Sequence, residues 1–141
     1  MIKNYYKLTG KDINYIMKKR NMLPCSVFSV LKVPQYSNRD YNQFSIQIST
    51  KISKHATKRN FLKRLFFDFI KENNYLQKQS NGNYYKYFFV TNKNSIEKLK
   101  DTIELKDKNN IKIIINSFFQ ATFNRLFFAN EKHGLIQNKD K

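Results

Sequence analysis

Cysteine, glycine, proline and acid are scarce in this 141-residue chain, which has one Cys, three Gly, two Pro, and 10 Asp plus Glu. A lone Cys25 excludes an internal disulfide and any Cys-rich zinc site, and it fits a reducing compartment. The two histidines, His55 and His133, stand too far apart for metal-ligand spacing. Without Gly- or Pro-rich stretches there is no interdomain linker, and no internal repeat is present. The length therefore points to one domain, expected over 1–130, with a flexible basic tail over 131–141. Apolar runs fall short of the roughly 18 residues that cross a bilayer. The polar start, Met1 to Lys11, has no apolar core of a secretory signal. The expectation is a soluble, cytoplasmic protein with no membrane partner.

What is abundant is positive charge and aromatic side chains. Lys plus Arg number 27, the formal net charge is +17, and 16% of residues are aromatic. Disordered chains combine charge with few aromatics, so this one is expected to fold. A surplus of this size repels itself in a compact state unless a polyanion neutralises it, and nucleic acid is the usual partner. AT-rich coding alone would also raise Lys and Asn, and the chain has 22 Lys and 18 Asn against 5 Arg. Coding bias does not explain why no acid occurs between Asp40 and Asp68, where Lys51, Lys54, Lys58, Arg59, Lys63 and Arg64 fall within 14 positions. The local cluster is the stronger signal.

Thr9-Gly10-Lys11-Asp12 reads as a helix start, followed by Ile13, Ile16 and Met17 on one stripe and a basic last turn, Lys18 to Arg20. Pro24 ends any helix, and Ser26 to Val33 reads as a strand stopped by Pro34. In Phe44 to Ser49 strict alternation places Phe44, Ile46 and Ile48 on one buried face. A helix is predicted from His55 or Ala56 to about Asn73, then a strand from Tyr85 to Thr91. Ser95 is expected to open another helix with Ile96, Leu99 and Ile103 on one stripe, interrupted at Asp107 to Asn110. Most of Ile111 to Ala129 reads as a final helix on the sheet, although Ile113 to Ile115 could be a strand.

At about 100° per residue the helix after Lys54 divides into two faces. Phe61, Leu62, Leu65, Phe66 and Phe69 fall on one side; Arg59, Asn60, Lys63 and Arg64 fall on the other, with Phe67 among them. Arg presents a planar fork matched to phosphate oxygens, Lys a mobile point charge, and Asn60 a group for a base edge or a sugar hydroxyl. Phe67 could stack on an unpaired base or belong to a wider core. A solvated amphipathic helix would also carry charge, but solubility alone favours mixed signs, and this face has no acid before Asp68.

The run from Phe44 to Arg64 resembles the signature of the bacterial ribonuclease P protein component. That family has an alternating strand ending in Ser, then Lys, a short basic link, Ala, and a helix of form Arg-Asn-x-x-Lys-Arg. Lys51, Lys54, Ala56, Arg59, Asn60, Lys63 and Arg64 fall on those positions without a gap. The resemblance implies an α+β, single-domain α/β sandwich: a four-stranded sheet with helices, ribosomal S5 domain 2-like, with a left-handed βαβ crossover. It also implies an accessory subunit of an endoribonuclease whose catalytic RNA removes the 5′ leader of precursor tRNA with Mg²⁺ bound through the RNA.

The partners implied are RNase P RNA and precursor tRNA, with no obligate protein partner. Lys51, Lys54, Lys58, Arg59, Asn60, Lys63, Arg64 and Phe67 become RNA-binding candidates. In the family the N-terminal helix gives aromatic side chains to a cleft for the single-stranded leader. The corresponding positions here are Ile13 and Met17, with Leu31 on a strand. Phe67 and Asp68 stand where the family usually has Arg and Glu, and the segment from Ser95 to Asn110 looks like an insertion.

Other functions fit less well. Asp68 with Glu72, and Glu97 with Asp101 and Glu104, have helical-turn spacing that a cation site could use, but they lie among lysines as an ordinary solvated face would. Cys25 has no nearby base in sequence to make it a nucleophile. A ribosomal-type or other structured-RNA-binding protein explains the charge, though not the composite signature. A helix-turn-helix requires a helix, not a strand, before the recognition helix.

Overall fold

The computed structural model describes residues 6–25 and 27–127. In chain order its elements are α1 (Gly10–Lys19), β1 (Met22–Pro24), β2 (Phe28–Pro34), β3 (Gln43–Gln47), α2 (Ala56–Glu72), β4 (Tyr85–Thr91), α3 (Lys93–Thr102) and α4 (Lys108–Phe127). Local capping chemistry sets both ends of α1. Thr9 and Asp12 form a reciprocal capping box: the Asp12 N–H donates to the Thr9 hydroxyl at 3.2 Å, and the Thr9 N–H donates to the Asp12 carboxylate at 3.1 Å. Arg20 closes α1 in the left-handed conformation, φ 52°. In the Ser80–Asn83 turn, Asn81 and Gly82 both take positive φ, which a tight reversal requires.

The strands form one mixed sheet in the order β1-β2-β4-β3. β2 pairs antiparallel with β1 and β4, while β3 and β4 are parallel neighbours joined through α2. One sheet face carries Phe28, Val30, Phe44, Ile46, Tyr87 and Phe89 into the main core, with Leu62, Phe66 and Phe69 of α2 and Phe119, Phe123 and Phe127 of α4. Phe66 is central: its ring lies 4.8 Å from Phe89 and 5.5 Å from Phe119, centroid to centroid. Such edge-on aromatic pairs add to area burial. Leu31, Val33 and Phe88 form a second, smaller cluster with Leu8 and Ile16, beneath α1. Helices therefore cover both faces, as the expected sandwich requires.

One local expectation is corrected and two open points are settled. β1 supplies the fourth strand that the resemblance implies, although three residues are too few to show a period; it is a strand by pairing with β2, and Pro24 is tolerated at the sheet edge. Asn92, not Ser95, caps α3; Ser95 sits three residues inside and its hydroxyl accepts the Asn92 N–H at 2.8 Å. Its hydroxyl also donates to the Val27 carbonyl, tying α3 to the start of β2. Finally, Ile113 to Ile115 is helical: Ile111 and Ile115 are buried one turn apart and Ile113 is outward. The expected tail, 131–141, lies outside the described residues.

Candidate nucleic-acid interface

The link before α2 is held by two buried residues, Ile52 and Ser53. The Ser53 hydroxyl accepts the His55 N–H at 3.2 Å, and the Ser49 hydroxyl accepts the Lys51 N–H at 3.1 Å. Those anchors leave Lys51 and Lys54 exposed on a turn of defined shape. Arg59 is half-buried and reaches back, its Nη1 donating to the Ser53 carbonyl at 2.8 Å. The arginine thus fixes the link to the first turn of α2.

Along α2 the two faces separate as the spacing predicted. Leu62, Leu65, Phe66, Phe69 and Ile70 are buried, while Asn60, Lys63 and Arg64 are exposed. The first turn contains no acid, so the positive end of the helix dipole adds to the side-chain charge. Phe61, assigned to the apolar side, is only half-buried, and Arg64 lies 5.9 Å from its ring centre. Phe67 is half-buried, edge-on to Phe66 at 5.2 Å, with Lys7 Nζ 5.1 Å from its centroid. A cation therefore already faces that ring.

The basic face has an acid neighbour that sequence order hides. Glu104, just past the end of α3, accepts from Lys58 Nζ at 2.6 Å. The hydrogen bond from Lys58 holds the Glu104 carboxyl below its ordinary range. Lys106 follows on the same connection and Lys108 opens α4; both line a groove with Lys58 and Arg64. Sequence reading missed these residues because more than 40 positions separate Lys58 from Lys106, and no local pattern links them.

The three leader-cleft candidates lie at α1 and β2, not on α2. Leu31 is buried beneath α1, Ile13 is half-buried beside the same cluster, and Met17 is exposed. The other flank of α1 lines a separate cleft of about 490 Å³, with Tyr15, Tyr36, Tyr41 and Arg39 in its wall.

Among the described residues, no three or more His, Cys, Asp or Glu side chains come together as metal ligands. Asp68 is half-buried and Glu72 exposed on α2. Cys25 is buried, and burial pushes its thiol up, away from the nucleophilic thiolate. No described helix is long and apolar enough to cross a membrane.

A family profile described as Ribonuclease P matches residues 2–115. Among solved structures, the chain is similar to the RNase P protein of Staphylococcus aureus, with 19% identity and a TM-score of 0.53 over 77% of this chain and 94% of that one. It is also similar to the RNase P protein from Thermotoga maritima, with 22% identity and a TM-score of 0.58 over 85% and 94%. A Staphylococcus aureus RNase P protein mutant with defective mRNA degradation activity matches with 17% identity and a TM-score of 0.59 over 87% and 91%. No curated protein matches the chain.

Proposed function

Because the chain belongs to the ribonuclease P family, we propose that it is the protein subunit that binds RNase P RNA and assists Mg²⁺-dependent removal of the 5′ leader from precursor tRNA. The observation that carries this reading is the acid-free stretch from Lys51 to Arg64. It folds into a link pinned by Ile52 and Ser53 and a helix face of outward cations, it resembles the family signature, and it lies within the residues that the family profile matches.

Lys51, Lys54, Lys63 and Arg64 would bind backbone phosphates, where each contact releases condensed counterions. Asn60 can hydrogen-bond a base edge or a 2′-hydroxyl, which phosphate contacts cannot distinguish. Arg59 serves mainly by positioning, since its Nη1 is bonded to the Ser53 carbonyl. Phe67 faces Lys7, so a base would stack there only after that lysine moves to a phosphate. Two RNAs brought together repel, and a +17 protein between them lowers that repulsion. Mg²⁺ would be held and used by the RNA, and no side chain of this protein is assigned to it. Ile13 and Met17 would offer the leader an apolar contact rather than an aromatic stack, with Leu31 supporting them from below.

The deciding experiment is cleavage of a precursor tRNA by a bacterial RNase P RNA at low Mg²⁺, with and without this protein. Restored cleavage at the correct 5′ position is expected. Tight RNA binding without rescue would leave a structured-RNA-binding protein with no role in tRNA processing.

A further inference from the structure

The connection from α3 to α4 closes against the flank of α2 and creates a groove of about 320 Å³. Its floor is apolar: Ile103 and Ile111 are buried and Phe61 is half-buried. Its rim is cationic, with Lys58 and Arg64 on the α2 side and Lys106 and Lys108 on the other. Four like charges around one groove repel each other in the absence of an anion. The fold offsets them locally. Arg64 and Lys108 both approach the Phe61 ring, at 5.9 and 5.8 Å from its centroid. Glu104 supplies the anion, its carboxylate oxygen 2.6 Å from Lys58 Nζ. The neighbouring Asp107 is engaged differently, accepting the Asn109 N–H at 2.9 Å at the start of α4.

A carboxylate and a phosphodiester present the same kind of charged acceptor to an ammonium group. Glu104, which lines the adjoining cleft, thus marks a place at the edge of the groove where Lys58 already holds an anion; Arg64, Lys106 and Lys108 share the groove with that lysine. A cationic rim over an apolar floor suits a nucleotide, phosphate on the rim and ribose or base on the floor, better than a small free anion. Lys58 and Arg64 also belong to the signature helix, so the groove continues the RNA face of α2.

We propose that this groove is a second RNA phosphate site, in which Lys106 and Lys108 receive backbone phosphates and Glu104 holds Lys58 until a phosphate replaces it. The proposal rests on the RNA-binding reading of α2.

The test uses the full chain and a bacterial RNase P RNA transcript, with affinity measured against salt concentration. Replacing both lysines (K106A with K108A) should lower the slope of log affinity against log salt by about 1.4 to 1.8, from 0.7 to 0.9 per phosphate contact. The E104Q variant should bind more tightly and steepen the slope by about one contact's worth. All three residues are exposed, so unchanged thermal melts are expected to accompany these effects. A reference variant, K51A with K63A, two exposed lysines outside the groove, separates the two readings. If it flattens the slope while the groove variants do not, the groove is overturned and the RNA face of α2 stands. If it too has no effect, the α2 reading falls and takes the groove with it. Binding of poly-glutamate that depends on Lys106 and Lys108, with the RNA slope unchanged, would overturn the proposal in favour of an acidic protein partner.

Discussion

Asp12 joins two structures that lie far apart in the chain. Its backbone and one carboxylate oxygen complete the capping box of α1, while the other oxygen accepts from Lys86 Nζ at 2.7 Å. Lys86 projects from β4 and is 2% exposed; the Tyr36 ring lies 3.8 Å from its Nζ. Lys86 is buried but Asp12 only half-buried, so Asp12→Asn, which leaves the lysine ammonium without its charged partner, should cost about 1 to 3 kcal/mol. Burial raises the Asp12 pKa, but the hydrogen bonds from Lys86 and from the Thr9 N–H and hydroxyl outweigh it, and the carboxyl sits below its ordinary value. A depressed acid contributes stability that is full above its unfolded pKa, about 3.9, and is lost as pH falls through the folded value. Urea unfolding should therefore show wild-type stability falling between about pH 5 and pH 3 more steeply than that of the Asn variant. Equal slopes would mean the pair does not contribute to acid stability.

At the scale of elements, α2 shows how much a local pattern can determine. Its limits, Ala56–Glu72, agree with the expected helix because both periodicity and breakers are carried by neighbouring residues. The cations of its outer face act together: replacing Arg59, Lys63 and Arg64 by Ala should flatten the salt dependence of RNA binding by about 0.7 to 0.9 per lost phosphate contact. Arg59 also holds Ser53, so Arg59→Ala alone should loosen the link, seen as faster amide exchange at residues 50–55. A triple variant with the wild-type slope would exclude α2 as the contact surface. β1 and the start of α4 were less legible. A three-residue strand has no period, and Ile113 to Ile115 would suit either state until α2 packs beside it and selects the helical face.

For the whole molecule, charge and packing oppose one another. Aromatic layers from the sheet, α2 and α4 fill the core, while a net charge of +17 favours expansion. An anion that binds the native state but not the unfolded one stabilises it by mass action, about 2.7 kcal/mol at a hundredfold excess over its Kd. The melting temperature should therefore be low in low-salt buffer and rise more with sulfate or RNA than with chloride at equal ionic strength. Equal responses would reduce the effect to screening without a bound anion.

The chain alone was enough to place the main helices, the buried faces of β3 and α2, and the row Lys51 to Arg64, because these rest on spacings of two to four residues. It was also enough to point to the family, whose profile matches residues 2–115. The strand order β1-β2-β4-β3, the Asp12–Lys86 pair across 74 positions and the Lys58–Glu104 pair across 46 came only with the tertiary structure. Such partners are selected by how the closed chain packs its two sheet faces, and that geometry leaves no periodic trace in the sequence.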